Sequence, residues 1–174
     1  MNKILLCCIA LFFTACMSAN MQAFVQTNNE GIFIKSEKNQ SIAFHFKNPS
    51  NYNTTLEYRL KKKFQELGFR VIDDNADYNA YINLVDFRKF SFAQRMSSAS
   101  ADFFFSGFDT IYNNYEMYVE NYFIMQVNIK IESKTQTQKT SLVARTAYLS
   151  NLKRCQDALE NKIVEQISSF FYFN

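Results

Sequence analysis

The chain has 174 residues, and 48% of its side chains are hydrophobic. That is enough apolar material for one folded domain and too much for a disordered tail. Three glycines and one proline exclude a fibrous or loop-dominated protein, and a net charge of +3 without a basic stripe excludes nucleic acid as the expected partner.

The chain begins MNKILLCCIALFFTACMSANM. Lys3 gives a positive start, and residues 4–13 form an uncharged apolar run too short for the ~30 Å of a bilayer core. Residues 1–15 therefore read as a signal peptide. The stretch LFFTAC, with Ala15 before Cys16, resembles a bacterial lipobox, which implies acylation at Cys16. Two or more acyl chains at ~0.8 kcal/mol per buried CH₂ make a stable anchor. Met17 and Ser18 follow, with no Asp. By resemblance to enteric lipoproteins, that implies the outer membrane as destination. An ordinary signal peptide cut nearby and a short membrane anchor are the alternative readings of the same run. Cys7 and Cys8 leave with the signal, and Cys155 is then the only other cysteine, so no intramolecular disulfide is expected.

Residues 16–31 are polar and read as a lipidated N-terminus and tether, followed by a single domain over 32–174. Ile32, Phe33 and Ile34 form a short strand candidate, and residues 36–40 a polar turn. Ile42, Phe44 and Phe46 then alternate with Ala43, His45 and Lys47, the period of a half-buried strand. Asn48, Pro49 and Ser50 stop it. Thr54 or Asn53 is placed to cap a helix, with Glu57 completing a capping box with Thr54. Leu56, Leu60, Phe64 and Leu67 make one helical stripe, and Gly68 closes it. Residues 69–72 read as a short strand, 73–77 as a turn, and Ala80, Ile82 and Leu84 as the inward residues of the next strand. Strand, helix and strand in this order give a crossover onto one sheet.

Residues 88–120 break the alternation and read as an aromatic insertion. Phe103, Phe104, Phe105, Phe108, Tyr112 and Tyr115 are its candidate contact residues for an oligomer or a membrane surface. Asp102 and Asp109 interrupt it, so it offers no bilayer span. Alternation then returns: Phe123, Met125, Val127, Ile129 and Ile131 face one way. After a turn in SKTQTQK, Leu142, Ala144, Thr146 and Tyr148 continue as a hairpin. Ser150 or Asn151 starts a last helix, with Leu152, Cys155, Leu159, Ile163, Ile167 and Phe170 on its buried stripe. The fold class is α+β: one mixed, mostly antiparallel sheet, two helices on one face, and a central aromatic insertion.

Chemistry-bearing motifs are absent. His45 has no Cys or His at ligand spacing and reads as a surface or edge-strand histidine. Asp73, Asp74, Asn75 and Asp77 lack the glycine and closing glutamate of a calcium loop. No phosphate loop, zinc helix or nucleophile elbow occurs. The expectation is a non-enzyme with no cofactor and no metal.

Three blocks carry a family resemblance: GIFIKSEKNQSIAFHFKNPSN leading into LKKKFQELGFRVIDDNADYNAYINLVDF, then VENYFIMQVNIKIESKT, then LKRCQDALENKIVEQISSF. Together they resemble the TraT family of outer-membrane lipoproteins of surface exclusion and complement resistance. The family's Gly/Ala-rich central region is replaced here by the shorter aromatic one. The resemblance implies a lipid-anchored protein of the cell outer membrane, acting as a homo-oligomer by contact with a protein partner. The runner-up is a periplasm-facing accessory lipoprotein that assembles or plugs an envelope complex. A soluble secreted ligand binder is the third.

Overall fold

The computed structural model describes residues 21–27, 31–97 and 115–173, with the backbone alone for 92–97 and 115–119. Among the described residues, eight strands and two helices follow in the order β1 (Ala23–Thr27), β2 (Ile34–Ser36), β3 (Ser41–Lys47), α1 (Leu56–Glu66), β4 (Arg70–Val71), β5 (Tyr78–Ser97), β6 (Tyr115–Ser133), β7 (Thr137–Thr146), α2 (Leu152–Ser168) and β8 (Phe171–Phe173). The class is α+β. The main sheet has six strands in the order β1-β7-β6-β5-β3-β4. Its β1–β7, β7–β6 and β6–β5 ladders are antiparallel, and its β5–β3 and β3–β4 ladders are parallel. The sheet is thus mixed rather than mostly antiparallel, and a second sheet, the parallel pair β2–β8, was not expected.

Three expectations change. The polar stretch read as a tether contains β1, because five residues add to the open edge of β7 (Ala23 opposite Thr146, Thr27 opposite Leu142). The strand read at 32–34 starts only at Ile34. Phe33 is 72% exposed, and its backbone is held by the Gln138 amide, which accepts from Phe33 N–H at 2.9 Å and donates to its carbonyl at 3.0 Å. The break read at 88–120 is narrower in the backbone, since residues 88–97 continue β5 and 115–120 belong to β6.

One face of the main sheet is buried by both helices. Ala80, Ile82 and Leu84 of β5, Met125, Val127, Ile129 and Ile131 of β6, and Leu142 and Ala144 of β7 are all buried, as their alternation predicts. A bulge at Val85 resets the phase, because Leu84 pairs Val127 while Asp86 pairs Gln126. Without that extra residue Asp86 would point inward and Phe87 outward. With it, Phe87 is buried opposite Met125, and Asp86 pairs with Arg88 at 2.9 Å.

Helix α1 buries Leu56, Leu60 and Phe64, the stripe its sequence spells. Gly68 ends it at φ +91°. Phe69 N–H donates to the Phe64 carbonyl and Gly68 N–H to that of Gln65, each at 3.0 Å. These are the two bonds of a Schellman closure, and the Phe64–Phe69 ring contact at 5.3 Å is its usual hydrophobic partner. The start of α1 differs from the capping box. Thr55 is the N-cap, and Thr54 Oγ1 accepts from Leu56 N–H at 3.1 Å. The backbone N–H of Thr55 goes to Glu160 of α2 at 3.2 Å, while Glu57 pairs with Lys61 at 2.9 Å.

Helix α2 is capped by Asn151, whose side chain accepts from Arg154 N–H at 2.8 Å. Its stripe begins at Cys155; Leu152 is 48% exposed. Tyr148, read as the end of β7, lies beyond the strand and is exposed.

The turn before β5 is tied to β3 by one carboxylate. Asp77 Oδ2 accepts from the N–H of Ser41 at 2.8 Å and from its hydroxyl at 2.7 Å, while Asp77 N–H donates to Ser41 Oγ at 2.9 Å. The Ser41 N–H and hydroxyl hold the Asp77 carboxyl below the usual carboxylate range. A depressed folded pKa gives stability that is present above the ordinary carboxylate value of about 4 and is lost as pH falls through the folded value. Asp77→Asn should therefore flatten the acid limb: urea midpoints compared at neutral pH and below pH ~4 should fall less in the variant than in the wild type.

Candidate interaction surface

Beyond the sheet, β5 and β6 run on as a two-stranded arm. The β3–β5 ladder ends at Lys47–Asn83 and the β6–β7 ladder ends at Ile124–Arg145. Pairing between β5 and β6 continues alone from Lys89–Phe123 to Ser97–Tyr115. Nine residue pairs at ~3.3 Å each give an arm about 30 Å long. Among the described residues, no third strand pairs with either of its edges.

The root of the arm is fixed on both faces. On the helix side, Phe87 packs on Phe123 at 5.7 Å and edge-on to Tyr52 at 4.9 Å. Phe123 N–H donates to Thr146 Oγ1 at 3.0 Å, so a side chain takes over where the β7 backbone stops. On the open side, Phe90 meets Tyr122 at 5.5 Å; further out on the helix side, Ser91 Oγ donates to Asn121 Oδ1 at 2.7 Å.

Register then sets a row across the open face: Arg88 of β5, Ile124 of β6, Arg145 of β7 and Phe24 of β1. The Arg145 guanidinium lies over the rings of Phe24 at 5.4 Å and Tyr122 at 5.5 Å, a cation–π arrangement. Arg145 makes no ion pair among the described residues, and Phe24 is 48% exposed. A second open-face row holds His45, Tyr81, Lys130 and Lys139. His45 stacks on Tyr81 at 4.6 Å, and Lys130 sits over the same ring at 4.3 Å. Glu132 at 2.7 Å raises the Lys130 pKa, and Lys130 lowers that of Glu132. In both rows cations lie over aromatic faces.

Of the residues read from sequence as sites, Cys16, Phe103, Phe104, Phe105, Phe108 and Tyr112 lie outside the described residues. Tyr115 is the first residue of β6, opposite Ser97. Cys155 is a free, fully buried thiol. His45 is half-buried and paired with Tyr81 on β5, and β4 borders β3 only at Ser41 and Ile42, so at His45 β3 is the edge of the sheet among the described residues. Phe24, Phe90, Tyr122 and Arg145 were not singled out from sequence. The signal for the arm was Phe90 and Phe92 continuing the period of β5, and Tyr118 and Tyr122 leading into that of β6.

A surface groove of about 520 Å³ lies between α2 and the start of β1, lined by Met21, Ala23, Asp157, Asn161, Lys162 and Glu165 among others. Its charges are mixed and point to no ligand class. No group of three or more His, Cys, Asp or Glu side chains stands at metal-holding distance among the described residues.

No family model matches the sequence, and no curated protein matches it. Among solved structures, the chain is similar to a PelC dodecamer from Paraburkholderia phytofirmans at 12% identity and TM-score 0.47, over 83% of this chain and 97% of that one. It is similar to a minor lipoprotein from Acinetobacter baumannii at 18% identity and TM-score 0.36, over 75% and 93%. It is also similar to the rare lipoprotein B from Shewanella oneidensis at 10% identity and TM-score 0.33, over 75% and 87%. With TM-scores below 0.5 and identities of this order, these are likenesses to an oligomer and to lipoproteins that carry no argument about what this chain does.

Proposed function

We propose that the chain is a TraT-like outer-membrane lipoprotein, anchored through acylated Cys16 after loss of residues 1–15. It is non-enzymatic and works by contact as a homo-oligomer, in surface exclusion or complement resistance. The observation that carries this reading is the arm. A two-stranded ribbon is at best marginally stable in water, and two long edges that no strand among the described residues pairs invite another chain. An arm of about 30 Å held out from a packed domain therefore supports a protein whose work is to be covered by a partner surface.

Two measurements test it. Cys16→Ala should move the protein from the membrane fraction to the soluble one, and mass spectrometry of the wild-type N-terminus should show a diacylated cysteine. Cross-linking or native mass of the anchored protein in detergent should show a defined oligomer; a strict monomer at high concentration counts against contact through self-association. Protease digestion of intact cells then separates outward exposure from a periplasm-facing accessory role, in which the domain is cut only after the outer membrane is breached.

A further inference from the structure

We infer that the open face of the sheet, around Phe24, Tyr122 and Arg145, rests on an anionic lipid surface. The inference rests on the Cys16 anchor proposed above. Cys16 precedes Phe24 by eight residues, which span at most about 28 Å when fully extended. An anchored Cys16 therefore keeps the β1 edge within that distance of the headgroups. The face it holds there has a fitting composition. Arg88, Ile124, Arg145 and Phe24 cross it in one row, with Phe90 and Tyr122 in the next row outward. Arg88 is compensated by Asp86, but Arg145 has no acidic partner among the described residues. It is held instead over two aromatic rings. Further along the same face, Lys47 and Lys139 are exposed and make no ion pair among the described residues. An exposed ring, Phe24, with the half-buried Phe90 and Tyr122 beside it and cations without an ion pair, matches the interfacial zone of a membrane, where rings sit at headgroup depth and cations meet lipid phosphates. On the opposite side of the sheet the helices cover the face.

The chain has no tryptophan, so one introduced indole reports its own surroundings. The acylated full-length protein carrying Phe24→Trp, and separately Tyr58→Trp, is reconstituted into phosphatidylcholine vesicles with and without phosphatidylglycerol, each containing brominated lipid. Tyr58 is 69% exposed on α1, on the helix side of the sheet. The expected result is a blue-shifted, strongly quenched indole at position 24 in anionic vesicles and several-fold weaker quenching at position 58. Arg145→Glu in the Phe24→Trp background should lower the quenching at position 24 toward the level at position 58. Equal quenching at the two positions overturns the inference, and so does quenching at position 24 that ignores phosphatidylglycerol. The comparison of lipids needs no further substitution, so it decides the matter even where Arg145→Glu disturbs the sheet. A protein that fails to incorporate into vesicles at all sinks the anchor reading; one that incorporates without preferential quenching at position 24 sinks only this inference.

Discussion

Phe64→Ala should destabilise the domain by about 3–5 kcal/mol, a large share of the roughly 5–15 kcal/mol that holds a typical domain together. Phe64 is fully buried and touches three other rings. Phe44 of β3 meets it edge-on at 5.2 Å, Phe69 at 5.3 Å, and Phe171 of β8 edge-on at 5.1 Å. It therefore joins α1 to the main sheet, to the small sheet and to its own C-terminal closure. Truncation to alanine opens a cavity that three elements would have to move together to fill, so relaxation is poor and the loss falls at the high end of such substitutions. Urea unfolding measured by circular dichroism should show the drop as a lower midpoint with an unchanged slope. Phe64→Leu should cost much less, because it keeps most of the volume. A loss under about 1 kcal/mol for the alanine variant would mean that the cluster is not the keystone its geometry implies.

The second large effect belongs to a charge. Glu160 of α2 is 0% exposed. Its oxygens accept from Thr54 Oγ1 at 2.7 Å, Thr55 Oγ1 at 2.5 Å, Thr55 N–H at 3.2 Å and Gln156 Nε2 at 2.8 Å, and Arg59 Nε lies 3.1 Å away. Arg59 also donates to Thr55, Asp157 and Asn161. The carboxylate sits at the N-terminus of α1, where the helix dipole favours negative charge. Glu160→Ala leaves two hydroxyls, one backbone N–H and part of a guanidinium without their acceptor, which should cost about 3–5 kcal/mol and lower Tm by on the order of 10 °C. Most of that loss is the penalty of stranded donors. Glu160→Leu combined with Thr55→Val, which leaves the Thr54 bond to Leu56 N–H intact, should therefore recover part of it. Thermal unfolding of the single and double variants decides this: a double variant no more stable than Glu160→Leu would mean the loss comes from packing rather than from the orphaned groups.

These two sites show what the sequence makes legible and what it hides. The Phe64 position was readable because helix α1 carries a local signal: a stripe at helical spacing closed by Gly68. The hairpin of β6 and β7 was readable for the same reason, since alternation over neighbouring residues fixes both strand and face. Glu160 was not readable. Its role depends on Thr54 and Thr55, more than a hundred residues away in the chain, and Glu57 stood at the spacing that normally does the job. Strand β1 was missed because AFVQT has little alternation of its own and is a strand only because β7 offers an open edge. The bulge at Val85 was missed because a one-residue phase change looks like the end of a pattern. That phase change, together with the polar residues Ser91, Gln94 and Asn121 along the arm, made 88–97 and 115–120 read as an interruption. At the candidate surface, the aromatic residues singled out from composition at 103–112 lie outside the described residues, and the aromatic pair at the root of the arm, Phe90 and Tyr122, was not singled out. The partners that define the root of the arm came from β1 and β7, which only the register brings beside Tyr122.

Strand β1 also decides how the domain carries a mechanical load. Any pull along the chain from residues before Met21 meets the buried Met21 and the Gln22 carbonyl, which accepts from Ala147 N–H at 3.0 Å, and then the five register pairs of β1 with β7. A pull along the strand axis loads those backbone bonds in shear, so they share the force instead of opening one at a time. The first element to yield under such tension is therefore an edge strand, which can re-pair with β7 once the tension is released, while the rings around Phe64 lie on other elements.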